Sequence, residues 1–322
     1  MRKKLLLFGG LGQDGSFLIE KLHKEYEIIC PIKPETNLSE KLKNQRYLAA
    51  AINIARFHYL DITNQQQIKN IIEEASPHLI CNFAAYSNVF DPWAHPKEVI
   101  EINTIVPAVI LQAMIEVSSK AKFVQASSSL VFGAWSQKTC NENTPRLPIL
   151  PYGISKNAAD HLIQECRNYF GINACSAIFF NHESERRGKN FFSRKVVLAA
   201  RAIANEEKKD KLVVGDLDTI RDMGFARDHV TAVAMMLNEK ESEDYVLGTG
   251  SFTSMRAFVE ETFKYYGLDY KDHIVESRTL LRKLDTKPLV ADIMKANKRL
   301  GWVPRKFCAT TLIEDELTHE EL

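Results

Sequence analysis

The chain has 322 residues, with 42 lysines and arginines against 41 aspartates and glutamates and a formal net charge of +1. A content of 45% hydrophobic and 26% charged residues suits a substantial core and excludes unfolded and fibrous classes, while near-neutrality excludes an overall field that recruits nucleic acid or a membrane. There is no uninterrupted run of about 18 apolar residues, and the apolar stretch after Met1 gives way to glycines too soon for a signal peptide, so a cytoplasmic protein is expected.

Lys3 to Phe8 is a short apolar run that stops at glycines, and Ser16 to Lys24 then shows helical spacing of Leu18, Ile19 and Leu22. This reads as strand, turn, helix. Tyr26 to Ile32 reads as a second strand, Arg56 to Leu60 as a third, Gln67 to Ala75 as a helix, His78 to Phe83 as a fourth strand and Val99 to Val117 as a long helix. Lys122 to Ala126 continues as a strand, Tyr152 to Tyr169 as a helix and Asn173 to Phe180 as a strand. Such alternation predicts an α/β fold with a Rossmann-type, doubly wound parallel sheet, because parallel neighbours need crossover connections. It breaks down after Asn181. The expected division is therefore a dinucleotide-binding domain of 1–178 plus about 221–250, and a smaller C-terminal substrate lobe of 179–220 and 251–322. Cys30, Cys81, Cys140, Cys166, Cys175 and Cys308 form no CxxC pair or Cys/His cluster, so reduced thiols and no metal are expected.

Gly9-Gly-Leu-Gly12-Gln13-Asp14-Gly15 places glycines at three-residue steps after the first strand and at the mouth of the first helix. Gly9 and Gly12 allow a tight turn and close approach to a pyrophosphate, Gly15 allows helix-on-strand packing, and the helix N-terminus supplies amide donors. The second strand closes on Ile29-Cys-Pro-Ile-Lys33, with no acid before Glu35 to hold ribose hydroxyls and repel a 2′-phosphate. NADP is preferred over NAD on that ground, although Lys33 also reads as a solvated surface lysine. Asp61, followed by Ile62, reads either as an acceptor for an adenine amino group or as a helix N-cap.

Tyr152-Gly-Ile-Ser-Lys156 puts a phenol and an ammonium four apart on one helix face. A nearby ammonium favours phenolate, which suits Tyr152 to exchange a proton with a sugar hydroxyl during hydride transfer. With the glycine turn upstream and Ala126-Ser-Ser-Ser-Leu130 between, the chain resembles the extended short-chain dehydrogenase/reductases. The resemblance implies a strand-end hydroxyl on the same substrate oxygen. Ser128 is the choice, with Ser127 and Ser129 competing, and Asn103 matches the family's asparagine that orients the lysine through water.

Gly10-Leu-Gly-Gln-Asp-Gly-Ser16, Phe180-Asn-His-Glu-Ser-Glu-Arg-Arg-Gly188, Asn190-Phe-Phe-Ser-Arg-Lys195 and Arg221-Asp-Met-Gly-Phe-Ala-Arg-Asp228 resemble the GDP-mannose 4,6-dehydratases within that group. This implies a GDP-linked sugar held by Asn181, Arg187, Asn190, Lys195, Arg221 and Arg282, with Asp285 on a ribose hydroxyl. It also implies Ala84 and Ala85 in a small-residue cofactor loop, Tyr86 and Ser87 beside the sugar, His182 and Glu183 orienting their loop, and a homodimer or homotetramer.

The departure from that pattern that bears on the reaction is at Leu130. Where the family reads Thr-Ser-Glu, and the Glu removes the C5 proton, this sequence reads Ser128-Ser129-Leu130. A general base contributes about 10²- to 10⁴-fold, so its loss is expected to silence C5–C6 elimination while sparing hydride transfer at C4. The expected activity is a GDP-sugar 4-dehydrogenase, 4-ketoreductase or C4 epimerase. The alternatives are a dehydratase using another acid/base and a non-catalytic nucleotide-sugar-binding subunit. The segment after the second strand, around Lys33-Pro-Glu35, is also shorter than the family's arm.

Overall fold

The computed structural model describes residues 2–44, 48–87, 93–117, 119–135, 137–207, 210–277 and 288–320. Among them, seven strands form one parallel sheet: β1 (Lys3–Phe8), β2 (Tyr26–Ile32), β3 (Arg56–Tyr59), β4 (Leu79–Asn82), β5 (Lys122–Ser128), β6 (Ala174–Phe179) and β7 (Tyr245–Leu247). The order is β7-β6-β5-β4-β1-β2-β3. The chain winds one way from β1 and then the other, a Rossmann-type arrangement whose direction reverses between β1 and β4. In open parallel sheets the crevice at that reversal is where ligands bind.

Alternate residues of a strand face opposite sides of the sheet. Leu5 and Leu7 accordingly pack with Leu18 of helix α1 (Gln13–Leu22) on one face. Leu6 and Phe8 pack on the other face with Ile68 of α2 (Gln65–Ala75), Ile110 of α3 (Val106–Glu116) and Ile163 of α4 (Pro151–Phe170). Helix α5 (Ala226–Asn238) joins the first face through Val230 and Val233. A third cluster, including Val196, Leu212, Phe225, Phe258 and Phe307, lies outside the sheet.

The long helix expected at Val99 runs from Pro96 to Glu116 with a π-helical stretch at Glu101–Ile105. Pro107 has no N–H to return to the Asn103 carbonyl, so the ladder loosens there. By length and composition this run is long and apolar enough to cross a bilayer despite Glu98 and Glu101, which interrupt its apolar sequence. Over half of it is buried within the fold.

Candidate active site

A cavity of about 810 Å³ opens along the C-terminal ends of β1, β4, β5 and β6. At its dinucleotide end Gly9 has φ +80°, and a side chain there would come within 2.6 Å of the Ala84 amide nitrogen. A side chain at Gly15 would come within 2.2 Å of the Gly9 carbonyl. The backbone therefore folds onto itself in a way only glycine permits, which leaves a bare cradle at the start of α1. Gly12, Ile62, Ala84 and Ala85 line the same end, and so do Lys33 and two groups that sequence reasoning missed, Thr36 and Lys41. Asp61 does not line it. That side chain accepts from the Thr63 amide and hydroxyl at 2.9 and 2.8 Å, and Asn64 rather than Asp61 caps α2.

The catalytic candidates meet where β5 ends beside the first turn of α4. Ser128 hydrogen-bonds Tyr152, and the Ser128 Oγ also accepts from the Leu130 amide at 3.3 Å. Lys156 is 1% exposed, donates to the Ala126 carbonyl at 2.8 Å, and holds its Nζ 5.9 Å from the centre of the Tyr152 ring. Burial pushes the Tyr152 phenol up to about 12, against the pull of Arg187 and of the Ser128 hydrogen bond. Burial also draws the Lys156 ammonium down to about 8, against the push of Asp160. The phenol is thus neutral near pH 7 rather than poised as phenolate.

Asn103 is fully buried behind this centre. Its amide oxygen accepts from the Tyr86 N–H at 2.9 Å, and its Nδ2 donates to the Tyr86 carbonyl at 3.1 Å and to Ser155 Oγ at 3.2 Å. It pins the loop of Tyr86 to the catalytic helix. Tyr86 and Ser87 line the cavity, as does Leu130.

Opposite lies the loop that follows β6, and it is anchored in the dinucleotide turn. Gln13 accepts from Ser184 Oγ at 2.8 Å and donates to the His182 carbonyl at 3.4 Å. His182 donates through Nδ1 to the Phe180 carbonyl at 2.8 Å and faces Asp14 with Nε2 at 3.1 Å. Gln13 and Asp14 therefore act as much on the loop as on the cavity. Although burial pushes the Asp14 carboxyl up, His182 holds it down to about 2. Although burial disfavours a charged imidazole, Asp14 raises His182. His229 stacks on His182 with ring centres 4.8 Å apart and is driven down to about 3 by burial, with His182 adding to the effect.

Next to this pair, Arg186 bonds Glu20 at 2.5 Å and Ser16 at 3.0 Å, and lies 3.9 Å over the Phe17 ring. Asn181, Arg187 and Arg221 line the cavity. Arg187 lies 3.9 Å over the Phe191 ring and 3.5 Å from Glu183, a carboxylate that also accepts from Ser193 at 2.5 Å. Asn190 is exposed and, like Lys195, does not line the cavity; Lys195 donates to the Val213 carbonyl at 3.0 Å. Arg282 and Asp285 lie outside the described residues.

Residues 6–314 match the family described as GDP-mannose 4,6 dehydratase. The chain is 33% identical over 312 residues to GDP-mannose 4,6 dehydratase 1 of Arabidopsis thaliana, which spans 94% of this chain and 86% of that protein. It is 31% identical over 351 residues to a GDP-mannose 4,6-dehydratase of Vibrio cholerae, spanning 98% and 94%. Among solved structures, a dTDP-glucose 4,6-dehydratase of Bacillus anthracis in complex with NAD superposes with TM-score 0.83 at 22% identity, covering 99% of this chain and 97% of that one. A UDP-glucose 4-epimerase of Thermotoga maritima with UDP-glucose superposes with TM-score 0.83 at 21% identity, covering 99% and 100%.

Proposed function

This chain belongs to the GDP-mannose 4,6-dehydratase family, and from that premise we propose that it moves hydride at C4 of a GDP-linked sugar without eliminating water. The observation that carries this reading is Leu130, which lines the cavity two residues from Ser128, on the short turn that packs its carbonyl against Gly153. An aliphatic side chain takes no proton from C5. Among the described residues, the carboxylates lining the cavity are Asp14 and Glu183, and both are engaged, Asp14 with His182 and Glu183 with Ser193 and Arg187.

The glycine cradle fits a nicotinamide dinucleotide, which when bound supplies the hydride acceptor or donor. Gly9, Gly12 and Gly15 would take its pyrophosphate on backbone amides. Lys33 and Lys41, with the Thr36 hydroxyl, favour NADP, since two cations suit a 2′-phosphate and no carboxylate stands at the end of β2 to repel it. Ser128 and Tyr152 bind the C4 oxygen between two hydroxyls. A neutral phenol is the acid that reduction of a 4-keto group requires, and Lys156 offsets the negative charge left on Tyr152 when the proton has moved. Asn181, Arg187 and Arg221 lie where an anionic diphosphate can be held, and guanidinium forks suit it. Assembly as a homodimer or homotetramer and a cytoplasmic location belong to the same reading.

The relatives favour a second reading, a true 4,6-dehydratase in which Glu183 replaces the missing base. Purified protein should be incubated in heavy water with GDP-mannose plus oxidised NADP, and with a 4-keto GDP-sugar plus NADPH, and the products followed by mass. Reduction or oxidation at C4 with neither loss of water nor deuterium at C5 is expected. Loss of water with deuterium at C5 would establish the second reading instead. Binding without turnover of either sugar would point to a partner subunit.

A further inference from the structure

Asp160 lies one helical turn beyond Lys156 on α4 and is 7% exposed. Its Oδ2 accepts from Ser127 Oγ at 2.6 Å and from Arg146 at 3.2 Å, and its Oδ1 accepts from Ser176 Oγ at 2.7 Å. Two hydroxyl donors and a guanidinium form the set that an ionised carboxylate needs, and a buried acid without a function would be cheaper as an amide or an alkyl group. The serines come from the neighbouring strands β5 and β6, so the carboxylate is fixed from three sides. It does not line the cavity and cannot touch a substrate.

Resting on the reading that Tyr152 and Lys156 are the catalytic pair, we infer that Asp160 is a positioning residue whose buried negative charge keeps the Lys156 side chain an ammonium through the pH range in which the enzyme turns over. Burial works against that charge, and the surroundings offer little else to retain it. The Ala126 carbonyl and Tyr152 are neutral, Asn103 and Ser155 are neutral, and across the cavity Arg187 and the His182–Asp14 pair face Tyr152. On the Asp160 side, Arg146 offsets the carboxylate while Asp244, itself paired with Arg167, opposes it. Burial pushes the Asp160 carboxyl up, and Arg146 with the two serines pulls it back. Asp160 is the charge that pushes Lys156 upward, against a burial that leaves it at about 8.

The test is the alkaline limb of the activity profile together with the titration of Lys156 itself, read in protein without cofactor by competitive acylation and mass spectrometry of the Lys156 peptide. Asp160→Asn keeps a group that can accept from one serine and donate to the other. It is expected to move both readouts to lower pH by about one unit, as loss of a charge one helical turn away in a partly polar interior implies. Ser176→Ala, which removes a hydrogen bond and no charge, is expected to leave both where they are. If Asp160→Asn does not fold, Asp160→Asn with Arg146→Gln removes the carboxylate together with its paired cation and is expected to shift both readouts in the same direction by about half as much. An unmoved Lys156 titration in the Asp160 variant, or an equal shift in Ser176→Ala, would overturn the inference. A labelling shift in Asp160→Asn, with no C4 chemistry in the wild-type protein, would count against the functional reading alone.

Discussion

Arg186→Leu tests how the substrate loop is held. Arg186 is a buried guanidinium with 2% side-chain exposure, 2.5 Å from Glu20, 3.3 Å from the equally buried Glu185 and stacked on Phe17. Removing one member of a buried ion pair costs about 3–5 kcal/mol, because the other charge is left without compensation. Here the loss is smaller. Glu185 keeps Arg227 at 3.0 Å, and Glu20 is 28% exposed and regains water. A cost of about 2–3 kcal/mol remains, equivalent to a fall of about 3–4 °C in Tm for a chain of this size. The loop it anchors carries Asn181 and Arg187 into the cavity, so calorimetric affinity for GDP should fall together with Tm. Arg186→Lys retains the charge but not the fork, and should fall in between. A Leu variant that melts within about 1 °C of wild type and binds GDP as tightly would refute the claim that this cluster docks the loop.

Leu130→Glu should install C5–C6 elimination. Leu130 lines the cavity and is only partly buried, so a carboxylate there can ionise, and a gain of about 10²-fold or more in deuterium incorporation at C5 is expected. Lys33→Ala and Lys41→Ala should each weaken NADP binding about five- to tenfold at low salt while leaving NAD unchanged, as fluorescence titration would show; an unaltered NADP/NAD ratio would remove both lysines from the cofactor site. His229 should make the fold acid-sensitive. With a native value of about 3 against an ordinary 6.5, the unfolded chain binds a proton below pH 6.5 that the folded chain refuses, so stability falls by about 2 kcal/mol between pH 6.5 and pH 5. His182 does not mask this fall. A raised imidazole contributes stability that is complete below its unfolded value and is lost only as pH rises through its folded one, and Asp14, held at about 2, loses its contribution only below about 4. In urea titrations His229→Asn should be less stable at pH 7 yet lose less between pH 7 and pH 5.

What was legible in the sequence was local. β1 and β4 are apolar runs bounded by glycines or polar turns, and Tyr152 and Lys156 share a helix face by spacing alone. The glycine turn reads correctly because its constraint is steric: Gly9 and Gly15 are excluded from carrying side chains by atoms within a few residues or on the next strand. The two-residue strands Ile220–Arg221 and Thr253–Ser254 have no period to detect and exist only as each other's partner, Ile220 opposite Ser254 and Arg221 opposite Thr253. Lys41 was missed because the helix Leu38–Asn44 that presents it is only about two turns long, and the Leu38 and Leu42 pair alone is too short a pattern to read. Arg186 reads from the sequence as one charge in a motif; only Phe17 and Glu20, brought up by α1, make it a buried anchor. Asp160 stands four residues from Lys156 in plain sight, but its role depends on Ser127 and Ser176, which converge only when β5 and β6 pair at Gln125 and Ser176.

The placement of charge around Tyr152 also bears on the proposal that Leu130 stands where a dehydratase would carry its glutamate. An elimination centre needs a carboxylate close to the phenol, and that negative charge would push Tyr152 further toward the neutral form, as Asp14 already does from across the cavity. Oxidation at C4, the first step of dehydration, would then require removing a proton from a still less acidic phenol, so elimination and oxidation place opposing demands on one side chain. With Leu130 the conflict disappears. Arg187 and Ser128 are left as the groups that favour phenolate against burial and Asp14, and Asp160, one turn below, is the charge that favours the Lys156 ammonium. An electrostatic setting of this kind suits proton exchange at one oxygen, which is what the proposed hydride transfer at C4 requires.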